Sequence, residues 1–276
     1  MDHYCVMGNP VGHSRSPWIH ARFAELTGQS LEYGKKLVPL QGLADTVRAF
    51  QRDGGRGCNI TVPFKLEAAA LATQVSQRVT LAGAANVLSF SGDAILADNT
   101  DGVGLVNDIQ CNAGFDLHGR HLMLIGAGGA AAGVLGPLLQ ARPASISVAN
   151  RTRHKAELLA ARHAAVAALH GVELVVRELQ DLKHSFDVVI NASASSLAGD
   201  SVPVSARVLR AGTLAYDMMY GVSAQAFLSW AGEGGAQARD GLGMLVEQAA
   251  EAFLIWRGVR APGQQVLAEL RCFMTA

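Results

Sequence analysis

Short apolar runs alternate with longer amphipathic stretches from one end of the chain to the other, the pattern of strands and helices laid down in turn around mostly parallel sheets. In the first third this pattern predicts strands at residues 4–7, 33–37, 57–62 and 85–90, with helices over 18–26, 43–50 and 65–72 between them. A second series predicts strands at 121–125, 145–149, 173–176, 187–190 and 213–216, separated by helices over 130–140 and 154–169. The expected class is therefore α/β. A new sheet opens near Leu117, and a helix over 103–111 is the expected link between two domains. Leu245, Ala249, Ala252, Phe253 and Trp256 follow helical spacing along one buried stripe, which predicts a helix over 243–256. Gln248 falls within that stripe, so its amide either bonds local backbone or points into a polar cleft.

A length of 276 residues exceeds what one compact core usually holds, which agrees with two domains. Twenty-three basic residues balance 23 acidic ones and half the chain is hydrophobic, so neither a nucleic-acid surface nor a disordered tail is expected. Cys5, Cys58, Cys111 and Cys272 show no Cys-x-x-Cys spacing, so no zinc site or disulfide framework is expected and a reducing compartment fits best. Met1-Asp2-His3-Tyr4 begins without a basic segment or apolar core, and no stretch reaches the apolar length of a membrane span, so the expected location is the cytoplasm. His118 and His121 have a ligand-like spacing, but they flank Gly119 ahead of a strand and read as loop or surface histidines, so no metal is expected.

Leu122-Met123-Leu124-Ile125-Gly126-Ala127-Gly128-Gly129-Ala130-Ala131 reads as a buried strand, a glycine turn and a helix start, and fits G-x-G-x-x-A from Gly126. In this reading Gly126 permits the tight turn, Gly128 lets backbone N–H groups approach a pyrophosphate and Ala131 lets the helix pack closely, with Gly126, Ala127, Gly128, Gly129 and Ala130 as the candidate cofactor turn. Where an NAD enzyme usually places an acidic residue, the next strand ends in Asn150-Arg151-Thr152. Arg151 can fork onto a 2′-phosphate, Thr152 can cap the next helix and donate to the same phosphate, and Lys155 adds a second cation, which favours NADP. Elsewhere Arg151, Arg153 and Lys155 would pass for a solvated basic face.

Three polar clusters precede residue 102. Ser14 and Ser16 lie in a Gly/Pro-rich loop and either donate to a carboxylate or start a helix at Ser16-Pro17. Thr61 and Lys65 lie near a strand tip, where a lysine is either a surface charge or a proton donor, and Asp98-Asn99-Thr100-Asp101-Gly102 is an oxygen-rich turn that equally suits a helix cap. Each is ambiguous alone.

Taken together, Gly8-Asn9-Pro10, His13-Ser14, Ser16-Pro17, Asn59, Thr61-Val62-Pro63, Lys65, Gly83-Ala84, Asn86 and Asp98-Asn99-Thr100-Asp101-Gly102 resemble the substrate-side signatures of the shikimate dehydrogenase family. The likeness continues through Gly126–Ala130, Asn150-Arg151-Thr152, Tyr216-Asp217-Met218, Tyr220 and Asp240-Gly241-Leu242-Gly243-Met244-Leu245 to Gln248. The resemblance implies NADP-dependent exchange between 3-dehydroshikimate and shikimate in aromatic amino acid biosynthesis, by a monomer or homodimer. It implies that Lys65 and Asp101 form the catalytic pair and that Ser14 and Ser16 bind the substrate carboxylate. The same resemblance implies that Thr61, Asn86, Asp101, Tyr220 and Gln248 contact the substrate hydroxyls or complete the pocket, and that Met218 and Gly241 join the cofactor set. The implied layout is a substrate-binding domain of residues 1–100 plus 237–276, a Rossmann domain of 101–236, and a cleft between them. The chain departs from the family at Ser196, where glycine is common, at Gln225-Ala226-Phe227 in place of Thr-Pro-Phe, and at Gln77, where an acidic residue is frequent. Two other readings remain at this point: a quinate or aminoshikimate dehydrogenase, and an NADP-sensing module that binds cofactor without turnover.

Overall fold

A computed structural model describes residues 1–182, 184–193 and 202–275. The chain divides into two compact α/β units, Met1–Gly104 with Leu245–Ala276 and Leu105–Met244.

The first unit is built on a six-stranded sheet of order β2-β1-β3-β5-β6-β4. Strands β1 (Asp2–Gly8), β2 (Leu31–Leu37) and β3 (Gly55–Ile60) are parallel, joined by helices α1 (Ser16–Thr27) and α2 (Leu43–Arg52). Central β1 is apolar at consecutive positions because both its faces are covered: Cys5 and Met7 join the core under α2, while Tyr4 and Val6 pack with Val11, Tyr33 and Trp256. After α3 (Lys65–Leu71), β4 (Gln74–Val75) and α4 (Gln77–Ala82), the sheet changes sense. Strand β5 (Val87–Ser91) runs antiparallel to β3 and turns through Gly92-Asp93 into antiparallel β6 (Ala94–Asp98), with Gly92 at φ +56°. The apolar pattern predicted none of β4, α4 and β6, although β6 alternates buried Ile95 and Ala97 with outward Leu96.

The second unit carries a wholly parallel six-stranded sheet of order β12-β11-β10-β7-β8-β9. Its strands are β7 (His121–Ile125), β8 (Ser145–Ala149), β9 (Glu173–Arg177), β10 (Val188–Asn191), β11 (Leu214–Asp217) and β12 (Gln237–Arg239), the first five within a residue or so of expectation. Helices α6 (Gly129–Gln140) and α7 (Arg153–His170) connect β7, β8 and β9, and α8 (Gln225–Glu233) precedes β12.

Two helices link the units. The expected 103–111 link is α5 (Asp101–Asn107) followed by a π-helical turn over Asp108–Asn112, and the return is α9 (Leu242–Arg257), after which α10 (Gly263–Thr275) ends the described chain. The two units join at Gly104/Leu105 and Met244/Leu245. Asp101 goes with the first unit because its carboxylate bonds Lys65 and Asn86 there, and β12 goes with the second because it pairs with β11. Among the described residues no helix is long and apolar enough to cross a membrane.

Candidate active site

The open end of the β5–β6 hairpin creates the first polar cluster. Asn86, immediately before β5, donates its backbone N–H to Asp98 O at 3.1 Å, and its Oδ1 accepts the Thr100 N–H at 2.8 Å. That pairing brings the residues after β6 beside those before β5, so α5 begins with Asp101 at the tip of the sheet. On the other side, Ala85 N–H bonds Lys65 O at 2.8 Å and fixes the start of α3. The Lys65 ammonium and Asp101 Oδ2 meet at 2.5 Å, with the lysine side chain 24% exposed and the carboxylate 7%. Asp101 Oδ1 accepts from Asn86 Nδ2 at 2.9 Å, and the Asp101 N–H donates to Asn99 Oδ1 at 3.1 Å. Gln248 Oε1 accepts from the same Asn86 amide at 3.1 Å, while Gln248 Nε2 donates to Leu245 O at 2.8 Å. One end of the Gln248 amide therefore bonds local backbone, and the other joins the buried polar cluster. Burying this many polar groups is tolerable only because each finds a partner.

Ser14 and Ser16 also converge. Ser14 Oγ lies 3.2 Å from Ser16 Oγ and accepts the Ser16 N–H at 3.3 Å, while Ser16 opens α1 with Pro17 in its first turn. Thr61 donates its backbone N–H to Met7 O at 2.9 Å, and its methyl group fills the place a side chain would need at residue 8. A Cβ at Gly8 would stand 2.3 Å from Thr61 Cγ2, so glycine there lets two strand tips close together.

In the second unit the glycine turn joins β7 to α6. Gly126 adopts φ +113°, and a Cβ on it would lie 2.9 Å from the Ala192 carbonyl, so both conformation and space demand glycine. Gly128 and Gly129 differ: among the described residues a Cβ on either would meet nothing within 4 Å, so bare backbone at the start of α6 borders open space. Gly129, Ala130 and Ala131 form the first turn of that helix, and Ala127 lies in the loop before it.

At the end of β8, Asn150 Nδ2 bonds Thr152 O at 2.8 Å and shapes the turn. Thr152 occupies the N-cap position of α7, but its hydroxyl makes no capping bond, contrary to the expected cap. Arg153 is engaged by Glu157 and Glu178, whereas Arg151 and Lys155 form no ion pair among the described residues. A surface built of N–H donors, space over two glycines and uncommitted cations fits a dinucleotide carrying an additional phosphate. Met218 and Gly241 lie together, since a Cβ on Gly241 would stand 2.3 Å from Met218 O. Tyr220 belongs to this unit and precedes the 3₁₀ turn Gly221–Ala224.

His121 is engaged by Ser145, at 2.8 Å from its Nδ1, and among the described residues no group of three or more His, Cys, Asp or Glu is placed to hold a metal. Ser196 lies outside the described residues.

Three family models match in chain order. The shikimate dehydrogenase substrate binding domain covers residues 6–88, the shikimate/quinate 5-dehydrogenase domain 109–200, and the shikimate 5′-dehydrogenase C-terminal domain 241–271. A curated relative from Acidovorax sp. (strain JS42), shikimate dehydrogenase (NADP(+)), is 65% identical over all of this chain and 98% of its own. The chain belongs to the shikimate dehydrogenase family. Two solved structures agree. One, an Ael1 enzyme from Pseudomonas putida, has a TM-score of 0.91 at 44% identity, covering 98% of both chains. The other, the Thermus thermophilus shikimate 5-dehydrogenase in complex with NADP(H) and shikimate, has a TM-score of 0.84 at 28% identity, covering 99% of both.

Within this shikimate dehydrogenase fold, two departures from the family pattern are now placed. Gln77 is exposed at the start of α4, and Gln225-Ala226 opens α8 ahead of the fully buried Phe227. Sequence reasoning missed Asn99 and Thr100 as cluster members in their own right, and missed Asn191 and Asp217 at the tips of β10 and β11. The signal for the latter two was a polar residue ending each buried strand, with Asp217 also standing inside the Tyr216-Asp217-Met218 motif.

Proposed function

We propose that this shikimate dehydrogenase is the NADP-dependent enzyme that interconverts 3-dehydroshikimate and shikimate in aromatic amino acid biosynthesis, with Lys65 and Asp101 as its proton-handling pair. The observation carrying this reading is the 2.5 Å contact between those two side chains inside a cluster completed by Asn86, Thr100 and Gln248. NADP, when bound, supplies or takes up the hydride. In the reducing direction the substrate carbonyl oxygen gains negative charge, which the Lys65 ammonium stabilises and then neutralises by donating a proton. Asp101 holds that ammonium in place, and partial exposure of Lys65 lets solvent return the proton. In the oxidising direction the neutral amine accepts the proton of the substrate hydroxyl.

Ser14 and Ser16 take the substrate carboxylate, and Thr61, Asn86, Tyr220 and Gln248 take its hydroxyls. The 126–130 turn takes the pyrophosphate, Asn150, Arg151, Thr152 and Lys155 take the 2′-phosphate side, and Met218 and Gly241 flank the cofactor. The free cysteines and the lack of a membrane-spanning helix among the described residues support a cytoplasmic location. Turnover of shikimate and of quinate, each with NADP and with NAD, tests this reading through the absorbance of the reduced cofactor. Shikimate with NADP is expected to give the highest kcat/KM, because one additional hydroxyl is strongly discriminated in a polar site. A preference for quinate, or NADPH binding without turnover, would contradict it.

A further inference from the structure

We infer that Asn191 and Asp217 are positioning residues for NADP, acting through the two backbone segments they hold at the strand tips. The inference rests on the cofactor assignment above. The two residues end β10 and β11, are register partners, and are 1% and 0% exposed. Asn191 Nδ2 donates to Asp217 Oδ2 at 3.3 Å. The remaining oxygens reach forward into the loops: Asn191 Oδ1 accepts the Ser193 N–H at 3.1 Å and the Ser193 hydroxyl at 2.7 Å, and Asp217 Oδ1 accepts the Met219 N–H at 2.9 Å. Each side chain thus folds its own strand exit into a turn, and their mutual bond ties the two turns together.

What those turns touch gives the pair its function. The Ala192 carbonyl and Ser193 N–H lie 2.9 and 3.1 Å from where a Cβ on Gly126 would stand, so they form the wall against which the dinucleotide turn is packed. On the other side Met218 N–H donates to Asn191 O at 3.1 Å, and Gly241 N–H donates to Met219 O at 2.8 Å. The segments at Gly126, at Ala192-Ser193, at Met218-Met219 and at Gly241 are therefore laced together at the C-terminal ends of four neighbouring strands, β7, β10, β11 and β12. This is where open parallel sheets bind ligands. A fully buried carboxylate is costly to desolvate, and an apolar pair would fill the space more cheaply but could not hold either turn.

The arrangement has a chemical mirror, which supplies the test. In the double variant Asn191→Asp with Asp217→Asn, every hydrogen bond described here can be remade: the carboxylate at 191 accepts from Ser193 and from the amide at 217, whose oxygen accepts from Met219. Each single variant instead loses a bond or sets two carboxylates together. The experiment measures NADPH dissociation constants by cofactor fluorescence, shikimate KM and thermal midpoints for wild type, both singles and the double. Either single variant is expected to weaken NADPH by about tenfold, the loss of one hydrogen bond, with shikimate KM changed less than about twofold, and the double to recover most of the affinity. Singles that bind NADPH as wild type does would overturn the inference. So would singles that weaken NADPH and raise shikimate KM equally, or a folded double that recovers nothing. Wild-type protein that binds no NADPH would instead remove the cofactor assignment beneath it.

Discussion

The polar cluster of the first unit consists of side chains that bury one another, whereas the glycine turn of the second offers backbone that side chains leave bare. Around Lys65, the groups Asp101, Asn86, Thr100 and Gln248 are each at most 8% exposed and each is bonded to another member of the cluster. Around the 126–131 turn the useful feature is the reverse: open space over Gly128 and Gly129, and Arg151 and Lys155 without ion-pair partners among the described residues. The first kind of site fails when a side chain is removed, and the second when one is added.

The largest expected effect follows from removing Asp101. Asp101→Ala frees the Lys65 ammonium and removes one of the acceptors of the Asn86 amide, so turnover should fall by about a hundredfold to ten-thousandfold, while NADPH affinity measured by fluorescence stays within about twofold. Parallel losses in both quantities would break the proposed division of labour. The converse experiment adds one methyl group. Gly126→Ala forces a Cβ onto a φ of +113° and into the Ala192 carbonyl, so a cost of about 2 kcal/mol, roughly thirtyfold in NADPH affinity, is expected with shikimate KM little changed. Unaltered NADPH binding would show that the turn does not need its present shape.

A smaller effect concerns how acid acts on the first unit. His20 is fully buried, stacked on Tyr33 with ring centroids 4.2 Å apart, and burial lowers its pKa to about 3, which the Asn59 amide only partly opposes. The imidazole therefore folds neutral. The unfolded chain takes up a proton below its ordinary value of about 6.5, so stability is full above that pH and declines as pH falls towards the folded value. By pH 5.5 this group should remove about 1.4 kcal/mol from the unfolding free energy measured in urea, and His20→Phe should abolish that portion of the slope. An identical pH slope in the variant would place the titration elsewhere.

How much of this could be read beforehand also differs between the units. The ends of β7 and β8 were legible because Leu122–Ile125 and Ile146–Ala149 are buried on both faces and a glycine turn follows the first. Edge strand β12 was not, since Gln237-Ala238-Arg239 has no apolar pattern and exists through its pairing with β11. Lys65 and Asp101 stood out as separate motifs, but their meeting depends on the antiparallel β5–β6 hairpin, which a reading of mostly parallel sheets does not contain. Asn191 and Asp217 were opaque for a related reason: their partnership spans 26 residues and arises from strand register alone.

The most direct test of the Lys65–Asp101 assignment is the rate of shikimate-dependent NADPH formation by Lys65→Ala, with NADPH affinity measured on the same preparation. A loss of about a hundredfold or more in rate, with affinity unchanged within about twofold, is the predicted result. A variant that turns over at the wild-type rate, or one that loses rate only in proportion to lost NADPH binding, would contradict the account.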